Sequence, residues 1–257
     1  MIKAYVLAIG AVIGSFLNVL IYRLPKNEGF VTGRSHCPHC GKLIKWYENI
    51  PIISFAVLRG KCSGCQARIS WLYPFVELIT ALSFLTAYIL YGLTFQAAIV
   101  SLFFALLLVV TVIDFQHYII PDKITIPGMI LGLASSFVNP TNPPLSSLLG
   151  LLAGGVSLFL LATLGDFLFK KESLGGGDIK LAAMLGAFLG WKNIILIFFA
   201  SAVLGLIYAV IQMAISEKVR KSRMIPFGPF LSLAGLIALF FGDYLINLYL
   251  ERVLQIH

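Results

Sequence analysis

The stretch SLGGGDIKLAAMLG, residues 173–186, places three glycines and an aspartate directly before an apolar run. A carboxylate there is either a helix cap or a working group at a membrane edge. The surrounding chain favours a membrane. Of 257 residues, 59% are hydrophobic and only 12% are charged, with a mean hydropathy of +0.95. A soluble domain carries about 45–50% apolar and about 25% charged residues. A membrane-crossing helix needs about 20 mostly apolar residues, and such windows fall near 4–23, 73–91, 95–114, 123–138, 147–169, 178–190, 193–215 and 226–249. The sequence reads as an all-α polytopic membrane protein with about eight transmembrane helices, the sixth of them short. The first apolar run has no small-residue cleavage site and reads as a retained span.

A polar block separates the first two spans. The expected organisation is a first membrane helix (1–23), an insertion (24–72) and a helical bundle (73–257). With the amino terminus outside, the insertion and the later basic loops fall in the cytoplasm. Sixteen of the nineteen Lys and Arg residues then lie inside, leaving Lys3, Lys192 and Arg252 on the outer side. That asymmetry orients the chain in its membrane. The net charge of +8 follows from this topology and from attraction to anionic lipid headgroups. Membrane lipids are therefore expected partners, and no nucleic acid is implied.

All four cysteines lie in the insertion, as CPHC at Cys37–Cys40 and CSGC at Cys62–Cys65, with 21 residues between the pairs. Two C-x2-C pairs make a closed four-thiolate set for zinc, and a reducing cytoplasm disfavours disulfides. A closed set leaves no open position for substrate, so the zinc is structural. Gly41 and Gly64 are expected to supply the tight backbone of each knuckle. His36 and His39 read as solvent-exposed, and Trp46, Trp71 and Tyr73 as headgroup-level anchors.

The eleven acids can be taken singly. Glu28, Glu48, Glu172, Glu217 and Glu251 read as solvated charges, and Asp243 as lying near an outer helix end. Asp114, Asp122, Asp166 and Asp178 all fall at the cytoplasmic ends of spans, where acids are candidates for function. Asp122, after Pro121, reads as the N-cap of the fourth span. Asp166 reads as a buried partner or as facing a cavity. Asp178 has a cap reading too, but Gly175, Gly176 and Gly177 exceed what a cap needs and suit a loop that holds an extended peptide. Lys180 follows and sets the local charge. Asp114 stands at a helix C-terminus, where the dipole disfavours a carboxylate, so capping does not explain it. Two carboxylates sharing a partly dry site divide the labour: one stays ionised as base, the other protonated as acid.

GGGD before a short span, paired with Asp114 in the segment VIDFQHYIIPD, resembles the type IV prepilin peptidases, of the GxGD class of membrane aspartyl proteases. GSFLNVLIYRLP at 14–25 resembles the amino-terminal signature of the bifunctional bacterial members, and the CxxC pairs resemble their zinc-binding insertion. YPFVELITA at 73–81 and IPFGPFLSLAG at 225–235 also resemble family segments. The resemblance implies cleavage of the basic leader of prepilins or pseudopilins after glycine, at the cytoplasmic face, by Asp114 and Asp178. It also implies methylation of the new amino terminus with S-adenosylmethionine. Basic loops would repel a basic leader, a problem that anionic headgroups, or acids such as Glu48 and Glu172, would offset.

No glycine-rich cofactor loop marks the methyl-donor site. Gly14, Ser15, Asn18 and Arg23 lie at near-helical spacing along the first span, either as methyltransferase residues or as a small-residue packing face with an interfacial Arg. Glu77 either receives a proton from the substrate amine or pairs with Arg23. IPFGPF either restarts a helix at the surface or shapes the leader groove. Two competing readings are a peptidase without methyltransferase activity and a transporter with a regulatory zinc module. The transporter predicts acids spread through the bilayer depth, whereas here they gather at one face. The oligomeric state is left open.

Overall fold

The computed structural model describes residues 1–29, 35–170, 174–215 and 225–252. Arg34, Lys171, Glu172, Ser173, Glu217, Lys218, Arg220, Lys221 and Arg223, which figure in the reading above, lie outside the described residues. Among those described, the architecture is helical throughout. The helices are α1 (Ile2–Arg23), α2 (Ile53–Val57), α3 (Leu72–Tyr91), α4 (Phe95–His117), α5 (Asp122–Ser135), α6 (Pro144–Phe169), α7 (Gly176–Leu189), α8 (Lys192–Ile215) and α9 (Gly228–Arg252). Six of them, α1, α3, α4, α6, α8 and α9, are long and apolar enough to cross a membrane. The chain is a multi-pass membrane protein.

The other two expected spans form helices of only 14 residues, α5 and α7. At about 1.5 Å per residue each is about 21 Å long, against a hydrocarbon core of about 30 Å. The count of full-length spans among the described residues is therefore six, with two short apolar helices.

The chain divides into two compact units, Met1–Val109 and Val110–His257, and α4 runs across the division. In the first unit α1 lies against α3. An ideal Cβ on Gly10 would stand 2.7 Å from Ala81 Cα, and one on Gly14 would stand 2.7 Å from Glu77 Cα. Small residues four apart let two backbones approach closely, the usual device of helix pairing in lipid.

The second unit is built around α7, whose residues Leu181–Phe188 are all buried. Gly150 and Gly154 of α6 face Gly186 and Ala182, and a Cβ on either α6 glycine would overlap an α7 carbonyl oxygen. The C-terminal carbonyls of so short a helix are out of reach of bulk water and need partners. Asn142 Nδ2 donates to Ala187 O (3.0 Å) and Phe188 O (3.1 Å), Ser147 Oγ to Ala187 O (2.6 Å), and Asn193 Nδ2 to Leu189 O (2.8 Å). The uncharged segment at 138–147 thus closes the far end of α7.

Two cap expectations are corrected. The N-cap of α5 is Pro121, and Asp122 is its first helical residue. The N-cap of α7 is Gly175, and Asp178 stands three residues further on.

Candidate active site and cysteine cluster

Asp114 lies in the last turn of α4, and α9 begins against it. Gly228 is the first residue of α9, so its N–H has no acceptor within the helix. It donates instead to Asp114 Oδ2 at 2.9 Å. The positive end of the α9 dipole thus faces this carboxylate, which is only 5% exposed. Phe115, Tyr208 and Phe230 wall the neighbourhood, with ring centroids 6.3 and 5.1 Å apart.

Asp178 comes to the same place from α7. Its Oδ2 lies beside the Gly175 backbone, whereas Oδ1 is buried without a hydrogen-bond partner. Ile120 packs between Gly177, the residue before Asp178, and Gly228, the partner of Asp114. An ideal Cβ on Gly177 would stand 2.8 Å from Ile120 Cβ, and one on Gly228 would stand 2.9 Å from Ile120 Cδ1 and 2.8 Å from Asp114 Oδ2. The glycines differ in what they do. Gly177 is dictated by contact, a Cβ on Gly175 would stand 3.2 Å from Asp178 Oδ2, and Gly176 faces open space.

Lys180 and Asp122 form an exposed ion pair, Nζ lying 2.7 Å from both carboxylate oxygens. The charge expected of Lys180 is thereby balanced, at little gain in stability. Asp166 is exposed on α6 rather than buried, and its carbonyl accepts the Lys170 N–H at 2.9 Å.

The cysteines gather in the first unit. All four Sγ atoms lie within 4.8 Å of one another, and those of Cys37 and Cys65 are 3.9 Å apart. Zinc bonded to four thiolates at about 2.3 Å holds them about 3.8 Å apart, so the set fits a tetrahedral ion. The knuckles repeat one design. Cys37 N–H donates to Lys42 O and Gly41 N–H to Cys37 O, just as Cys62 N–H donates to Ala67 O and Gln66 N–H to Cys62 O. Gly41 takes φ +70°, but its counterpart is Gln66 at φ +59°, not the expected Gly64. Gly64 is needed for space instead, since a Cβ there would stand 2.9 Å from Lys42 Cδ.

Glu48 is not a free solvated charge. It accepts the Ser63 hydroxyl, the Lys45 N–H (3.0 Å) and the Lys42 ammonium (3.1 Å), bracing both knuckles. Those hydrogen bonds, that of Ser63 first, pull its carboxyl down to about 2.

The residues singled out along the first span also meet in this unit. Asn18 Nδ2 donates to Tyr73 O at 3.0 Å. Arg23, buried, donates from Nη1 to Gly29 O at 3.0 Å. Glu77 Oε2 accepts the Ile52 N–H at 2.7 Å. Tyr73, expected as a headgroup anchor, is half-buried beside them.

Comparison with known proteins bears on both units. The profile of the bacterial peptidase A24 N-terminal domain matches residues 8–91, and that of the type IV leader peptidase family matches residues 101–210. A Pseudomonas aeruginosa protein is 37% identical over 268 residues, covering 95% of this chain and 91% of its own. The chain belongs to the type IV leader peptidase family. Other similar members come from Legionella pneumophila, 35% identical over 93% of this chain and 91% of that one, and from Myxococcus xanthus, 36% identical over 81% and 62%. All three relatives are named prepilin leader peptidase/N-methyltransferase. No solved structure matches the chain.

Sequence reasoning missed Gly228 and Ile120 in this family site. IPFGPF was noticed as a segment, but no local signal shows that its glycine N–H points at an aspartate 114 residues earlier.

Proposed function

We propose that this protein cuts the leader from a prepilin or pseudopilin and then methylates the new amino terminus. The observation that carries the cleavage step is the meeting of Asp114 and Asp178 around Ile120, one fixed by the Gly228 N–H and the other with a buried oxygen left without a partner. The relatives' shared name supports both steps.

Cleavage needs a water held between the two carboxyl groups. The ionised one takes a proton as the water oxygen attacks the scissile carbonyl carbon. The protonated one gives its proton to the amide nitrogen as the C–N bond breaks. No covalent bond to the enzyme forms. Gly175 and Gly176 leave backbone accessible to an extended peptide, and the Lys180–Asp122 pair borders that approach. Cys37, Cys40, Cys62 and Cys65 hold structural zinc. S-adenosylmethionine, when bound, supplies an electrophilic methyl group to the freed amine. The segregation of basic residues supports a cytoplasmic position for the insertion and for both acids.

The test is mass spectrometry of a prepilin incubated with purified protein and S-adenosylmethionine. Wild type should remove the leader and add one methyl group. Asp114→Asn and Asp178→Asn should each stay folded and lose cleavage by about 100-fold or more. Full cleavage by either variant would leave these aspartates a purely structural role.

A further inference from the structure

A cavity of about 330 Å³ lies in the first unit, between α1, α3 and the two cysteine knuckles. Its walls include Ser15, Asn18, Tyr22 and Arg23 of α1 and Tyr73 and Glu77 of α3. Small-molecule sites are largely apolar hollows of about 300–1,000 Å³ with a few convergent polar groups. Here Asn18, Arg23 and Glu77 are 5%, 7% and 8% exposed. Each of the three has a hydrogen-bond partner, and together they bring two charged groups and an amide to one hollow.

Glu77 is held in an unusual way. The N–H it accepts belongs to Ile52, whose φ is +63° and ψ −48°. A β-branched residue strongly disfavours that region. Strain of this kind persists where the surroundings over-determine it, and it clusters at functional sites. The loop before α2 is thus pinned to the carboxylate against its own conformational preference. Aromatic faces attract cations, and one wall already shows it: Lys26 Nζ sits 3.5 Å from the centroid of Tyr22. From the knuckles, His36, Lys42 and Arg68 share the walls.

We propose that this cavity binds the sulfonium methyl donor and that Glu77 accepts the proton of the amine to be methylated. The inference rests on the methyltransferase reading given above. A new amino terminus carries an ammonium charge near neutral pH, and its nitrogen has no lone pair until a proton leaves. A carboxylate at the cavity both attracts the ammonium and takes that proton. The nitrogen lone pair then forms a bond to the methyl carbon. The carbon–sulfur bond breaks, and its electron pair returns to sulfur, leaving a neutral thioether. The methylated amine leaves as its ammonium ion, and Glu77 passes the proton it took to water.

Two measurements on the full chain test this. In the first, wild-type protein is irradiated with radiolabelled S-adenosylmethionine and the labelled peptides are mapped. Label is expected within 15–23 and 73–77. Label confined to peptides outside the cavity walls, which span 15–23, 35–70 and 73–77, would overturn the placement. In the second, Glu77→Gln, which keeps the acceptor for Ile52 N–H but not the charge, is compared with wild type for S-adenosylhomocysteine binding and for methylation across pH. Binding should stay within about threefold. Methylation should fall about 100-fold at pH 7 and recover as pH rises past about 8, where the amine is free without help. A wild-type rate and pH profile in Glu77→Gln would remove its assigned role. A wild-type protein that takes no label and methylates nothing would instead overturn the methyltransferase reading itself.

Discussion

Gly228 and Asp114 show how a site is fixed by one residue that carries no side chain. The Asp114 carboxylate is oriented by a backbone N–H, and a methyl group at position 228 would occupy the space of Oδ2 and of Ile120. Gly228→Ala must therefore rotate the carboxylate away. Displacement of a reacting group by about 1 Å can cost about 100-fold in rate. The expected outcome is a fall of that order in kcat for leader cleavage, with KM little changed, read by steady-state kinetics on a prepilin peptide. An unchanged kcat would mean that the N–H does not orient Asp114. Asp178 differs in that its buried Oδ1 has no protein donor. The carboxylates themselves were legible in the sequence, because an acid beside an apolar run is conspicuous. Their helix positions were not. Asp122 and Asp178 favour N-caps as residue types, yet Pro121 and Gly175 take those places. Residue preference does not say where the first helical φ and ψ fall.

The cysteine knuckles are the element whose stability depends most on something other than packing. Among the described residues of the insertion, Leu24, directly after α1, and Cys37 are the buried apolar side chains. So little core cannot hold a fold, and metal binding supplies the folding free energy of such modules. The purified protein should contain one zinc per chain by elemental analysis. Removing it with a chelator, or weakening it by Cys40→Ser, should open residues 35–71 to trypsin and abolish S-adenosylhomocysteine binding. Protease resistance that survives complete metal removal would contradict this. The element was readable because its signal is local, two matched spacings in a short block. What escaped was the part fixed by tertiary contact: Gln66 rather than Gly64 at the left-handed turn, and Glu48 as a brace between knuckles 21 residues apart in sequence. The pairing of α6 with α7 escaped for the same reason, although Gly150, Gly154 and Gly186 were in plain view.

Across the whole molecule, hydropathy disclosed most of the architecture, because it acts through summed composition. Six full-length spans follow from hydropathy, and the proposed direction of the chain rests on the distribution of Lys and Arg. That direction predicts a labelling pattern. In intact right-side-out vesicles, a membrane-impermeant maleimide should label Thr141→Cys, in the exposed turn before α6, but not Ser70→Cys, in the insertion, until the vesicles are lysed. The reverse pattern would invert the topology. Composition could not reveal length as cleanly. α5 and α7 are apolar, yet each has 14 residues. For α7, enclosed by its neighbours, shortness has no effect on lipid. For α5 it does, because Ile126, Ile130 and Leu131 are exposed on its flank. A lipid-facing helix about 9 Å shorter than the hydrocarbon layer is a hydrophobic mismatch, and the surrounding acyl chains relieve it by thinning. Since α5 begins two residues after Ile120, that dimple lies at the doorstep of the two aspartates. There a polar peptide bond has the shallowest oily layer to enter and water has the shortest path to follow it.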